Sequence, residues 1–442
     1  MKMKNKVNMK KISGGFTLIE LMIAMVIGLI ILLGLVTLFT SSSSLNRAQT
    51  GLAVLQENGR YAITRIKSDI EMAGRKHCAT VAMPSAFRTN WDQGYAMTAW
   101  QVARDVSFDN GFPDINQVLL DVDTKAEPDQ TADPVVTSTY NSYPLDPSYF
   151  IRGSECGLTS CEPSLTSLGS DKLVTFPSIG VSDGSRAAMA DVLTLRYLLG
   201  GNRVTAQNNF SFTLEDSSSF TDGPVLIADC GTNLVANANW GSKNVTMNLG
   251  GSPAMTAAPS FNLMGDTRAY NLKEELKNIS YFLRLDADPS DSNRMISSLY
   301  RSENGNVQQI VQGVERFDVF YLAQLQTGKV ARLTADQVEQ VSGGGDFTTD
   351  VGCTIPPLTR YMEGIGLAND TGCLWRSIYA IEVHLLLNTV YNSSTTEAEV
   401  YTYSPDSLNP ITPGGSLPSG LEPDRMYRRE FTAIVPVRSY TL

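Results

Sequence analysis

Hydrophobic positions along the 442-residue chain fall into distinct regimes. From Phe16 to about Thr40 nearly every position is apolar, and Glu20 is the one charge. A helix rises about 1.5 Å per residue, so about 20 such residues cross the hydrocarbon of a bilayer. The run is long enough to span. Past it, Leu45, Leu52, Leu55, Ala62, Ile66, Ile70 and Ala73 recur at spacings of three, four or seven, while Arg47, Gln49, Gln56, Glu57, Arg60, Lys67 and Asp69 fill other positions. That pattern predicts one amphipathic stripe continuing the same helix. From Phe16 to Ala73 the helix would be roughly 87 Å long, and Gly74 supplies a natural stop. No proline interrupts its apolar half. Gly28, Gly34 and Gly59 either loosen it, at about 1 kcal/mol each relative to alanine, or mark close packing.

Residues 76–190 read as irregular, with Pro128, Pro134, Pro144, Pro147, Pro163 and Pro177 scattered among Asp, Ser, Thr and Tyr. From about 191 the period becomes two. Leu193, Leu195, Tyr197 and Leu199 alternate with Thr194 and Arg196; Phe317, Val319 and Tyr321 follow the same rule. So do Tyr379 to Leu387 and Phe431 to Val437, with further candidates at 278–286, 295–303 and 306–312. One apolar face per strand predicts an antiparallel sheet covered on one side, and the helical stripe is its natural cover. Pro436 predicts that the last strand is an edge or bulges. The expected fold class is α+β: a long N-terminal helix packed on an antiparallel β-sheet head. The chain divides into a leader (1–15), a transmembrane half-helix (16–40), an amphipathic half-helix (41–75), a loop-rich insert (76–190) and the sheet head (191–442).

Charge orients this plan. Net charge is −10, of which Lys2, Lys4, Lys6, Lys10 and Lys11 contribute +5, so residues after the leader carry −15. Lysines just before the span are expected to stay cytoplasmic, which sends everything after about Ser41 to the periplasm. An acidic head repels phosphate backbones, and no nucleic-acid partner is expected. Six cysteines in an exported chain predict disulfides, with 15 pairings open. Cys156 and Cys161 are close enough to close a small loop, Cys353 and Cys373 bracket another, and Cys78 and Cys230 remain. With no CxxC and two histidines, no metal site is expected.

The leader is unlike an ordinary secretory signal, whose cleavage site follows the apolar region. Here the small residues Gly14 and Gly15 precede it, in Lys10-Lys11-Ile12-Ser13-Gly14-Gly15-Phe16-Thr17-Leu18-Ile19-Glu20-Leu21. This stretch resembles the class III signal of type IV pilins and type II secretion pseudopilins. The resemblance implies a pilin-like fold, cleavage by prepilin peptidase between Gly15 and Phe16, and N-methylation of Phe16. A carboxylate inside an apolar span costs roughly 2.5–3.5 kcal/mol when deep and unpaired, so Glu20 reads as functional. Paired with the new amine of a neighbouring subunit, it would set the register between helices; unpaired, it would snorkel to the interface.

Further segments narrow the resemblance. Leu55-Gln56-Glu57-Asn58-Gly59-Arg60-Tyr61-Ala62, Ile70-Glu71-Met72-Ala73-Gly74-Arg75, Asp191-Val192-Leu193-Thr194-Leu195-Arg196-Tyr197, Asp229-Cys230, Leu299-Tyr300-Arg301, Gly313-Val314-Glu315 and Arg428-Arg429-Glu430-Phe431 resemble the PilW family of pilus assembly proteins. That likeness implies a minor pilin that primes assembly and sits in a tip complex. Its implied partners are other minor pilins, the major pilin, prepilin peptidase and the inner-membrane assembly platform, with a tip adhesin as a further candidate. Its implied location is the bacterial inner membrane and then the pilus tip. The rival readings are a minor pseudopilin of a type II secretion system, a membrane-tethered periplasmic enzyme, and an adhesive module using the 80–190 region.

Catalytic chemistry is not expected, and neither is a cofactor. No phosphate-cradling loop exists, and Gly343-Gly344-Gly345 reads as a turn. His384 lies near Glu382 without a nucleophile elbow, and His77 stands alone. Residues 286–297 begin like a calcium loop, yet Asp291 and Ser297 stand where a glycine and a glutamate belong, so a solvated turn is expected.

Overall fold

The computed structural model describes residues 17–75, 77, 101–102, 150–165, 176–229, 233–248, 260–324, 329–340, 374–375, 378–391, 403, 405 and 426–438. Gly15, Phe16, Cys78, Cys230, Cys353, Cys373, Gly343-Gly344-Gly345 and nearly all of 80–149 lie outside the described residues.

The helix α1 (Leu18–Met72) runs unbroken for 55 residues, about 82 Å. Thr17 caps it, accepting the Glu20 N–H at 3.3 Å. Its buried positions are Leu55, Gly59, Ala62, Ile66, Asp69 and Ile70, one face at helical spacing. The predicted stripe therefore starts to bury later than its first member. Leu45 is 59% exposed and Leu52 half-buried, because the head reaches down only to about Leu55. Gly74 ends the helix in the left-handed region (φ 70°), and its N–H bonds to the Arg196 carbonyl at 2.8 Å.

After α1 come β1 (Gln101–Val102), β2 (Ile151–Cys156), β3 (Cys161–Glu162) and β4 (Val192–Leu198). Next follow β5 (Asn202–Asn208), β6 (Ser211–Leu214), β7 (Gly223–Ala228), β8 (Asn233–Trp240), β9 (Asn244–Asn248), β10 (Arg268–Asn271) and the single-turn α2 (Leu272–Glu275). The chain continues through β11 (Leu276–Asp288), β12 (Asp291–Glu303), β13 (Asn306–Gln312) and β14 (Val314–Gln324). It closes with β15 (Val330–Leu333), α3 (Ala335–Gln340), β16 (Ile378–Asn388) and β17 (Arg428–Pro436).

Among the described residues these strands make three sheets. The central one has the order β13-β12-β11-β4-β2-β3 and is antiparallel throughout. It starts earlier in the chain than position 191. Strand β2, inside the segment read as irregular, pairs through Ile151–Ser154 with Val192–Leu195. Strand β2 (Ile-Arg-Gly-Ser-Glu-Cys) is buried on both faces, so it shows no period of two. The second sheet has the order β15-β14-β16-β17, with β17 and its Pro436 at the edge. Helix α1 covers both sheets in one core that joins Leu55, Ala62, Ile66 and Ile70 to Leu193, Tyr281, Leu299, Phe317, Val383 and Val435.

Contact with β17 is close enough to require a glycine. A Cβ built on Gly59 would lie 2.3 Å from the Phe431 ring. Gly59→Val is therefore expected to push α1 off β17 at a cost of about 1–3 kcal/mol, read as a lower denaturation midpoint. Unchanged stability would mean that the helix does not seat on this strand.

The third sheet closes on itself. Strands β8-β7-β10-β5-β6-β9 pair in that order and β9 returns to β8, giving a six-stranded antiparallel barrel, with β1 added in parallel on β8. Its interior holds Val204, Phe212, Leu214, Val225, Ile227, Val245 and Ala269. The barrel is inserted between β4 and β11, which pair with each other from Leu198↔Leu276 onward.

Candidate functional site

The most extensive exposed apolar surface among the described residues is the first half of α1. From Leu18 to Phe39 the large apolar side chains are all at least half exposed, and mean hydropathy over the most apolar window is 3.0 with nothing buried. By length and composition this helix can cross a membrane. Its few polar groups are internally satisfied: Thr37 donates to the Gly34 carbonyl at 2.8 Å, Thr40 to Thr37 at 3.0 Å and Ser44 to Ser41 at 2.9 Å. Gly28 and Gly34 meet nothing within 4 Å, leaving two shallow notches on the rod.

Glu20 is exposed near the start of this rod, in the third helical position. With Thr17 at the N-cap it forms a capping pair. The Glu20 N–H donates to Thr17 Oγ1 at 3.3 Å, and that hydroxyl lies 3.5 Å from Glu20 Oε2. Its carboxylate thus sits at the positive end of the helix dipole, four residues after Phe16 in the sequence. The Thr-x-x-Glu spacing that creates this cap is visible in the sequence.

The other end of α1 is pinned by a residue that its charge first places on the polar side. Asp69 is 3% exposed. Its Oδ2 accepts the Tyr281 hydroxyl at 2.5 Å and Arg301 Nε at 2.7 Å; its Oδ1 accepts the Tyr197 hydroxyl at 3.0 Å and Arg301 Nη2 at 3.3 Å. Arg301 is held from its other side by Glu303 at 2.7 Å. Burial, reinforced by Asp69, pushes the Tyr281 and Tyr197 hydroxyls well above their ordinary range, so both remain donors. One carboxylate on the helix therefore gathers ligands from β4, β11 and β12. The signal was available: Asp69 lies three after Ile66 and four before Ala73, on the apolar stripe.

Two further buried clusters brace the head. Arg428 at the start of β17 donates to Glu315 on β14 at 2.7 Å, both side chains being fully buried, and Asn388 on β16 donates to the same carboxylate at 2.6 Å. Cys156 and Cys161 form a disulfide across β2 and β3, with Arg186 Nη1 at 3.1 and 3.2 Å from the two sulfurs. Burial lowers Arg186 to about 10. The other candidate cysteines, Cys78, Cys230, Cys353 and Cys373, and the processing residues Gly15 and Phe16 lie outside the described residues.

The remaining chemical candidates have these surroundings. His384 is buried between two carboxylates, Nε2 at 2.6 Å from Glu382 and Nδ1 at 2.7 Å from Glu430. His77 packs on Tyr270, its Nδ1 3.1 Å from the hydroxyl, and burial lowers its pKa. The calcium-like segment forms the tip of the β11–β12 hairpin. Asp288 there accepts from the Ser290 N–H at 2.8 Å and pairs with Arg294 at 2.8 Å, while Asp286 pairs with Arg284 at 2.7 Å. No cluster of three metal-ligating side chains occurs among the described residues.

The prokaryotic N-terminal methylation motif matches residues 10–36, which include Gly15, Phe16 and Glu20. Comparison with curated proteins and with solved structures returns no match. The motif is of the prepilin type: it supports a type IV pilin-like or pseudopilin chain and implies processing by prepilin peptidase and handling by pilus assembly machinery. Followed by an apolar helix of this length, it fits a membrane-anchored pilin.

Proposed function

We propose that the chain is a minor pilin of the PilW kind, which primes assembly of a type IV pilus and occupies its tip. The observation that carries this reading is the division of α1. One half is bare and apolar on all sides, while the other is locked into a head comprising two sheets and an inserted barrel. Cleavage after Gly15 removes the lysines and leaves a methylated amine on Phe16. The rod then leaves the lipid by exchanging acyl contacts for the apolar flanks of neighbouring helices. A head of this bulk is hard to repeat at every step of a thin helical fibre and easy to place once, at an end. The chain works through helix–helix and head–head contacts with other minor pilins and the major pilin, without catalysis.

A minor pseudopilin of a type II secretion system would share the same helix, and fibre location separates the two. Antibody against the head, applied to sheared fibres under the electron microscope, is expected to label one end of each pilus. Label distributed along the fibre would remove the tip assignment, and absence from pili with retention in the secretion machinery would favour the pseudopilin.

A further inference from the structure

A polar cleft of about 750 Å³ opens where the barrel joins the central sheet, lined by residues of 200–203, 215–220 and 265–268 together with Glu275. Its frame is fixed by the fold. Gly200 and Gly201 hold φ of 116° and 89°, and Glu275 accepts the Gly201 N–H at 2.6 Å and the Asn271 N–H at 2.7 Å. Arg268 bridges Asp266 at 2.9 Å and the Gly201 carbonyl at 3.0 Å. The Asn202 amide bonds to the Asp216 backbone in both directions, at 3.1 and 3.3 Å. Such a frame loses little freedom on binding.

The lining narrows the ligand. Glu215, Asp216, Asp266 and Glu275 outnumber Arg203 and Arg268, which disfavours phosphate, sulfate and acidic polymers. Apart from Phe220 no large apolar side chain lines the cleft, which disfavours lipids and the apolar ligands of ordinary pockets. What remains is a set of donors and acceptors beside one ring. Ser218 Oγ is buried and without a hydrogen-bond partner among the described residues, the Arg203 and Asp216 side chains are exposed, and Phe220 is held edge-on by Trp240 at 5.1 Å. A sugar hydroxyl both donates and accepts, and the C–H face of a pyranose suits an aromatic ring.

We propose that this cleft binds a neutral carbohydrate, giving the head a recognition site separate from α1. The site does not depend on the pilin reading. A chain that binds sugar yet never enters fibres would overturn that reading and leave the cleft standing.

The test presents the full processed chain in mild detergent to immobilised neutral hexose and N-acetylhexosamine oligosaccharides, with sialylated and sulfated ones alongside. Binding to at least one neutral sugar is expected. Ser218→Ala, and separately Asp216→Asn combined with Arg203→Ala, should weaken it by about tenfold or more. Arg203 and Asp216 are exposed, and Ser218→Ala removes one buried hydroxyl that has no hydrogen-bond partner among the described residues, so thermal unfolding and fibre entry should be unchanged. Failure to bind any neutral sugar, preference for the acidic sugars, or wild-type binding by both variants would overturn the proposal.

Discussion

Asp69→Ala is expected to lower the stability of the helix–head unit by about 3–5 kcal/mol, the usual cost of breaking one side of a buried ion pair. The substitution strands the buried Arg301 guanidinium on that side and removes the acceptor for the Tyr197 and Tyr281 hydroxyls together. Glu303 still holds the far side of Arg301, which keeps the loss from being larger. Urea titration of the full chain in detergent, followed by the fluorescence of the buried Trp375, reads the effect. Asp69→Ala combined with Arg301→Met should recover much of the loss, because the unpaired charge is then gone. A single-variant midpoint within about 0.5 kcal/mol of wild type would mean that α1 is held by its apolar stripe alone.

The second large effect falls at the opposite end of the same helix. Glu20→Ala is expected to leave processing intact and to block entry into the tip complex. In the proposed fibre core the Phe16 amine and a neighbouring Glu20 carboxylate would both be out of water, and losing one partner would cost about 3–5 kcal/mol per contact. In the isolated chain the carboxylate rests against its own N-cap, with Thr17 Oγ1 3.5 Å away. Truncation there costs only a weak exposed cap, so the folded monomer should barely notice. That asymmetry separates the two effects: Asp69→Ala damages the subunit, whereas Glu20→Ala damages only assembly. Pull-down of partner pilins with processed Glu20→Ala protein reads it, and normal recovery would refute the pairing.

Both ends of α1 were legible because a single helix imposes a single period. The stripe from Leu55 to Ile70, the glycine stop at Gly74 and the strands at β4, β11 to β14, β16 and β17 all follow from local spacing. The register of the central sheet did not, since β2 is buried on both faces and carries Arg152 and Ser154 inward of solvent. The barrel was less visible still. Strand β5 (Asn-Arg-Val-Thr-Ala-Gln-Asn) buries only Val204, and closure depends on the distant pairs β10–β5 and β8–β9. A small closed barrel can be completed by strands with few apolar residues, so β5 alone reads as a polar loop, whereas β7 (Gly-Pro-Val-Leu-Ile-Ala) is apolar and buried.

Asp69 illustrates the opposite error. A charged side chain on an amphipathic helix defaults to the solvent side, as Glu57 and Lys67 do. Its partners come from three strands over a hundred residues away, and no local pattern announces them. The position on the stripe was visible and the charge overrode it. Gly59 shows the same dependence on distant chain, since the ring it admits, Phe431, belongs to the final strand.

The account stands or falls on where the chain is cut and where the rod goes afterwards. The N-terminus of protein recovered from sheared fibres measures both together. N-methylphenylalanine at position 16 in the fibre fraction is the predicted result. A chain that keeps its lysine leader and is recovered only from the membrane of normally piliated cells would contradict it.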